Sequence, residues 1–283
     1  MSILRPKPRP GHPYMAGAPL LVAHRGGSAL APENTMAAFE SAVDQWGADM
    51  LEMDVHQSAD GRIVVIHDAT VDRTTDGSGA VAALRWDELR DLDAGYRFRD
   101  LSGETSFRGT GIDLPLFDQV LERFPRTRIN VEAKAAGATA GLIEVIRRHG
   151  ATHRVLVAAT EEEARGIHHG YEGPSSASRR QLRLAHTLLR LGLGRFHVPD
   201  TDALQLPDTW EGRRIVTPAL VSWAHRLNLP LHVWTIDEED DMRRLLAWGV
   251  DGIQTDRPDR LARVLHELSG RPLPPGLRRE EEG

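Results

Sequence analysis

Short apolar runs rich in β-branched residues alternate along this chain with stretches whose apolar residues recur every three to four positions. That alternation predicts a parallel sheet with helices packed outside it. The first run, at 20–23, precedes a helical pattern at 34–46, in which Ala38, Ala42, Val43 and Trp46 share one face. Runs at 50–55 and 63–66 follow, joined across the turn signal Asp60-Gly61. Further strands are expected at 128–131, 154–158, 203–206, 231–235 and 252–254, with helices at 217–227 and 237–248 between the last three. The region after Thr160 is less regular. Ser178 can cap a helix running through 181–191, with Leu182, Ala185, Leu188 and Leu189 on one side, and 175–177 reads as a short strand before it. Eight βα units fit this pattern. From 69 to 113 the periodicity lapses except near 86–92, which reads as an insertion after the second barrel strand of the kind that shapes an active-site mouth.

Composition narrows the class. The 283 residues suit one large domain, and 40% hydrophobic with 27% charged residues is ordinary for a soluble globular protein. The organised part is expected at 20–268, between a basic, proline-rich flexible leader at 1–19 and a polar tail at 269–283. A formal net charge of −6 offers no broad attraction to polyanions, so nucleic acid is a poor partner. With no cysteine there is no disulfide, thiolate metal site or cysteine nucleophile. No apolar run approaches the ~20 residues that span a bilayer, and the leader lacks the apolar stretch of a secretory signal. No stable membrane anchor and a cytoplasmic location are therefore expected. The oligomeric state cannot be read from the sequence.

Chemistry concentrates where apolar strands end in charged residues, because a charge in the packed interior of a barrel needs a reason. His24-Arg25-Gly26-Gly27 follows the first strand, pairing a group that exchanges protons near neutrality with one that grips phosphate. Alone, the tetrapeptide also reads as a turn. In Pro32-Glu33-Asn34-Thr35, Thr35 reads as a helix cap, while Glu33 and Asn34 stay open. Strand alternation puts Glu52 and Asp54 on one face, where two carboxylates repel unless a cation or shared proton lies between them. Oxygen ligands of this kind suit Mg²⁺ or Ca²⁺. His67-Asp68 ends another run, and Asp68 either orients His67 or begins the loop. Two imidazoles flanking a phosphodiester can act as general base and general acid. Glu132 and Lys134 again share a face, readable as a third ligand with a phosphate-neutralising ammonium or as an ordinary ion pair. Trp234 is a core indole or a pocket wall, and His232 on the same face is unassigned. Taken together, the set describes a divalent metal beside an anion pocket, and reaches metal-assisted phosphoryl chemistry without naming a substrate.

The order of these residues resembles the glycerophosphodiester phosphodiesterase family. The resemblance rests on His24-Arg25-Gly26 with Pro32-Glu33-Asn34-Thr35, Glu52-x-Asp54-Val55, Asp60-Gly61, and His67-Asp68 to Asp72-Arg73-Thr74-Thr75. Glu132-x-Lys134, Val233-Trp234-Thr235 and Gly249 to Pro258 continue it, so that it covers about 20–265. It implies a (β/α)8 TIM barrel with a small insertion. It also implies one divalent cation (Mg²⁺ or Ca²⁺, with Mn²⁺ open) on Glu52, Asp54 and Glu132, proton transfer by His24 and His67, and phosphate held by Arg25 and Lys134. The substrate it implies is a small glycerophosphodiester, cleaved to sn-glycerol 3-phosphate and an alcohol such as choline or ethanolamine. Ala133 and the stretch 160–177 depart from the family's pattern, and the second departure bears on substrate preference. Two other readings stand beside this one: a lysophospholipase D, disfavoured because no strongly amphipathic stretch stands out, and a non-catalytic barrel that binds a phosphorylated metabolite.

Overall fold

The runs that end in charged residues do become strands, because their apolar side chains leave water on both faces of a single sheet. The computed structural model describes residues 12–282. Its strands, in chain order, are β1 (Leu20–Ala23), β2 (Met50–Gln57), β3 (Ile63–Val65), β4 (Arg128–Ala133), β5 (Val155–Ala158), β6 (Leu204–Pro207), β7 (Thr209–Trp210), β8 (Arg213–Arg214), β9 (Leu231–Trp234) and β10 (Gly252–Thr255). Parallel pairing gives the order β5-β4-β2-β1-β10-β9-β6. The two ends of that order meet through Ser175 and Ser176, which bridge in parallel to Val157 and Ala203. The short strand expected at 175–177 is therefore the eighth stave, and it closes a barrel.

The run at 63–66 takes a different place. β3 is antiparallel to β2, with Val55 opposite Val65 and Gln57 opposite Ile63. The turn between them is closed by Ser58 N donating to Arg62 O at 2.9 Å. A parallel partner needs a crossover of a dozen or more residues, and five cannot supply one. β3 is thus a flap on β2 and not a barrel stave. The aperiodic stretch 69–113 lies beyond it, with a small core of its own around Val71, Val81, Leu89 and Leu114.

The helices are α1 (Met36–Glu40), α2 (Trp86–Leu89), α3 (Phe117–Arg123), α4 (Ala136–Arg148), α5 (Arg179–Arg190), α6 (Pro218–Arg226), α7 (Glu239–Ala247), α8 (Pro258–Ser269) and α9 (Pro275–Glu282). Thr35 and Ser178 cap α1 and α5 as their positions predict, accepting from Ala38 N and Gln181 N. The expected helix at 34–46 is shorter than its pattern: after Glu40 it loosens into a π turn, Ser41–Gln45.

The described parts of both terminal segments are packed against the barrel, which their composition does not predict. Residues 1–11 of the expected leader lie outside the described residues. Its remainder is not a flexible leader: Tyr14 is buried at the bottom of the barrel among Leu20, Val22, Met50 and Leu156. The Tyr14 hydroxyl donates to Ile129 O at 2.7 Å, and Arg128 donates to the carbonyls of Tyr14 and Ala16. At the other end the tail forms α9 and buries Leu277 in the main core. Gly276 lies so close to the Trp46 ring that a Cβ would come within 2.4 Å of it. One buried aromatic and one buried leucine are enough to anchor polar, proline-broken segments, which composition averages away.

Candidate active site

Register brings the predicted residues to one end of the barrel. Ala23 pairs with Leu51 on one side and Thr255 on the other, so the next residues on these strands, His24, Glu52 and Asp256, are neighbours. On the far side of β2, Asp54 pairs directly with Glu132. The turn that carries His24 and Arg25 depends on its glycines. Gly26 and Gly27 have φ of 84° and 90°, and a Cβ on them would come within 2.7 Å of Ala38 and 2.8 Å of Pro258. The turn is therefore clamped between α1 and α8.

A cavity of about 1060 Å³ opens at this end, and His24, Arg25, Glu52, Asp54, His67, Glu132, Lys134 and Trp234 all line it. Trp234 is 37% exposed at the mouth, whereas His232, on the same face of β9, is fully buried lower in the barrel. All eight predicted site residues thus share one cavity, and His232 does not belong to it.

Each histidine is held by one carboxylate. His24 Nδ1 bonds Asp256 Oδ1 at 2.7 Å, and His67 Nδ1 bonds Asp68 Oδ1 at 2.7 Å. In both rings Nε2 is the nitrogen left for chemistry. Burial alone would lower the His24 imidazole, but Glu52, with Oε2 3.9 Å from Nε2, and Asp256 outweigh it and raise the pKa to about 9. Asp68 and Glu33 are in turn held by Arg73, which reaches Asp68 at 2.6 Å and Glu33 at 2.7 Å. The stretch 69–113 therefore contributes a guanidinium to the mouth.

The acidic centre is cross-linked. Lys134 Nζ lies 2.9 Å from Asp54 Oδ1 and 2.6 Å from Glu132 Oε2. Thr160 Oγ1 donates to the other Glu132 oxygen at 2.5 Å. Arg25 donates its backbone N–H to Glu52 at 2.9 Å and a guanidinium N–H to Glu33 at 3.0 Å, with Nε 3.3 Å from Asp54. Asn34 Nδ2 donates to Asp54 Oδ2 at 3.0 Å. Burial would raise Asp54, yet Lys134 and Arg25 keep its carboxyl below the usual range. Glu52 goes the other way: burial and the neighbouring Asp54 push it up to about 7.

This pattern bears on a metal. The donors are carboxylate oxygens, the chemistry a hard divalent cation takes. Within this cluster Glu33, Glu52, Asp54, Asp68, Glu132 and Asp256 pair with only Arg25, Arg73 and Lys134 as permanent cations, so the cluster itself holds more acids than cations. As arranged, however, no three acidic or imidazole side chains among the described residues are grouped to hold a metal ion. Lys134 stands between Asp54 and Glu132, where the expectation of convergent ligands puts a cation. Arg25 and Lys134, expected to hold phosphate, are both engaged with acids.

Sequence reasoning missed four supporting groups. Asp256 ends a strand as the others do, and the same rule applied to the last strand finds it. Arg73, Thr160 and the side-chain role of Asn34 come from loops, where no alternation points to a face.

Comparison with known proteins agrees with this geometry. The profile of the glycerophosphoryl diester phosphodiesterase family matches residues 24–170 and 171–260. A glycerophosphodiester phosphodiesterase of Caldanaerobacter subterraneus subsp. tengcongensis is 32% identical over 261 residues, covering 88% of this chain and 98% of that protein. Among solved structures, a glycerophosphodiester phosphodiesterase from Agrobacterium tumefaciens str. C58 superposes with a TM-score of 0.70 at 28% identity, covering 86% of this chain and 99% of that one. A phosphodiesterase from Oleispira antarctica, solved in complex with the product sn-glycerol-3-phosphate, has the same fold, with a TM-score of 0.70 at 24% identity over 88% of this chain and 97% of that one. The chain is an enzyme, and it belongs to the glycerophosphoryl diester phosphodiesterase family.

Proposed function

We propose that the enzyme hydrolyses glycerophosphodiesters such as glycerophosphocholine or glycerophosphoethanolamine to sn-glycerol 3-phosphate and the alcohol. The observation that carries this reading is the pair of imidazoles, each fixed through Nδ1 by a carboxylate, lining one cavity with the Asp54, Glu132 and Lys134 cluster. The glycerol hydroxyl next to the diester attacks phosphorus while one histidine takes its proton. The other histidine gives a proton to the departing alcohol. Water then opens the cyclic phosphate, with the two roles exchanged. Arg25 and Lys134 neutralise the phosphate oxygens. Asp256 and Asp68 hold the two rings in the tautomer that presents Nε2.

One divalent cation belongs to the same proposal, with Glu52, Asp54 and Glu132 as its ligands and Mg²⁺, Ca²⁺ or Mn²⁺ as its identity. When bound it supplies positive charge to the phosphate and lowers the pKa of the attacking hydroxyl. Two features support it: the number of acids gathered in the cluster, and a Glu52 carboxyl that burial and the neighbouring Asp54 push up to about 7. The test is turnover of glycerophosphocholine before and after chelation, with each cation then restored singly. Undiminished turnover in chelator sinks the metal, and full-rate hydrolysis of an analogue lacking the free hydroxyl sinks the cyclic route.

A lysophospholipid is the second reading, and the cavity favours it in one respect. Its volume of about 1060 Å³ exceeds what a small water-soluble diester fills, and Leu182, Leu189, Leu206 and Trp223 line its far side. The expectation that no strongly amphipathic stretch stands out does not hold, because α5, read from its periodicity as a one-sided helix, is one. Parallel assays on glycerophosphocholine and lysophosphatidylcholine decide between them.

A further inference from the structure

The segment that walls the far side of the cavity differs from the rest of the surface. Residues 179–196, comprising α5 and the turn after it, carry Arg179, Arg180, Arg183, Arg190 and Arg195 and neither Asp nor Glu, in a chain of formal net charge −6. Arg179 pairs with Glu161 at 3.6 Å. Among the described residues Arg180, Arg183, Arg190 and Arg195 make no ion pair, although most arginines around the mouth are tied to acids.

The same segment holds large apolar side chains in water. Leu184, Leu191, Leu193 and Phe196 are 48%, 67%, 42% and 49% exposed. Of the nine large apolar side chains exposed among the described residues, these four fall within this one segment, and Trp210 lies beneath its Arg183. They are displayed by a fixed framework. Trp223 Nε1 donates to Gly194 O at 2.9 Å, and Leu193 N donates to Leu188 O at 2.8 Å, so a buried Gly194 pins the turn while its neighbours stay outside. Two arginines cover exposed rings, Arg183 at 5.9 Å from Trp210 and Arg195 at 4.7 Å from Phe196. Arg179, Arg183, His186 and Arg190, at helical spacing, also line the cavity together with Trp210.

Exposed leucines beside unpaired arginines are a poor match to water and a good match to an anionic lipid surface. The leucines and rings enter the boundary of the acyl chains, while the guanidinium groups meet phosphates. A second copy of this chain is a poor match, because a two-fold contact through this face sets arginines against arginines. We propose that α5 and the turn after it are a docking surface by which the enzyme binds reversibly to anionic lipid bilayers, with the cavity mouth beside the contact. This stands apart from the choice between substrates, and it needs no membrane-spanning helix. None of the helices in the described residues is long and apolar enough to be one.

The experiment is sedimentation of the full chain with vesicles of phosphatidylcholine alone or phosphatidylcholine mixed with phosphatidylglycerol, at low and at high salt. Binding to the mixed vesicles should exceed binding to the neutral ones at least ~10-fold and weaken with salt, since each arginine near such a surface is worth ~5-fold in affinity. The double variants L191E/F196E and R180E/R195E, all exposed positions outside the cavity lining, should each lower it at least ~10-fold. Both should keep wild-type melting and wild-type turnover of glycerophosphocholine. Equal binding to the two vesicle types, no binding to either, or variants that bind like the parent would overturn the proposal. So would a dimer of the parent that L191E/F196E dissolves, which would make this face a contact between copies.

Discussion

His24 and His232 sit in the same barrel, the first partly buried at the mouth and the second fully buried, and their acidities are driven in opposite directions. At the mouth His24 is raised to about 9, because Glu52 and Asp256 more than offset its burial. One layer down, His232 is lowered to about 4 by burial, and neither ring nitrogen has a hydrogen-bond partner. Strand alternation alone gives both the same inward face. What separates them is height along the barrel axis: the mouth brings carboxylates from four strands together, while His232 lies between Gln205 and Gly252 on the neighbouring strands, where a Cβ added to Gly252 would come within 2.7 Å of the ring. Burial alone therefore does not set the acidity of a histidine in this fold, and partners do. The acids at the mouth are cross-linked, whereas His232 below them has no partner for either ring nitrogen among the described residues.

The largest expected effect breaks or keeps this contrast directly. Replacing His24 or His67 by Ala should lower kcat ~10²–10⁴-fold. His232→Leu should change it less than ~10-fold and leave stability at pH 7 equal or higher, because an unpartnered buried imidazole gives way to an apolar group of like size. Steady-state kinetics on the three variants, with urea unfolding beside them, reads both halves. An H232L enzyme as crippled as H24A would erase the distinction between mouth and interior.

The next effect tests the other end of the barrel. Tyr14→Ala should cost ~3–5 kcal/mol of stability, as for other large buried aromatics, with the KM of the folded enzyme near wild type. A loss below ~1 kcal/mol in urea titration would return this segment to the status of a loose leader.

The smallest is a difference in pH slope. His24 contributes stability that is complete below pH 6.5 and lost as pH rises through about 9, and its shift corresponds to ~3–4 kcal/mol. His232 acts in reverse: its depressed pKa means that stability falls as pH drops from 6.5 through about 4, again by ~3–4 kcal/mol. Unfolding free energies of H24Q and H232L against wild type, measured in chelator, should flatten the alkaline and the acid limb respectively. A bound divalent cation beside Glu52 would weaken the first effect, so an alkaline limb that is unchanged on adding metal would contradict the proposed ligands.

Much of the architecture was legible because it depends on side-chain periodicity. Leu51, Met53 and Val55 facing helices, and Glu52 and Asp54 facing inward, follow from alternation and hold in the structure. Pairing direction was not legible. Ile63–Val65 has the same composition as a barrel stave, and only the short turn before it makes it antiparallel. The weakest strand prediction, at 175–177, closes the barrel through just two bridges, too few residues to leave a pattern. In the site, the eight residues at strand ends were legible and their mutual pairing was not. Nothing in the spacing of Glu132 and Lys134 says that the ammonium turns toward Asp54 across the sheet. Likewise Arg73 reaches Glu33 over 40 positions of chain.

The hydrogen bond from His24 to Asp256 spans 232 positions, from the first stave to just past the last. During synthesis the imidazole is made 232 residues before the carboxylate that orients it. A nascent chain can fold much of its barrel and still hold an unaimed ring. Activity then begins in one step, when the circle of staves closes.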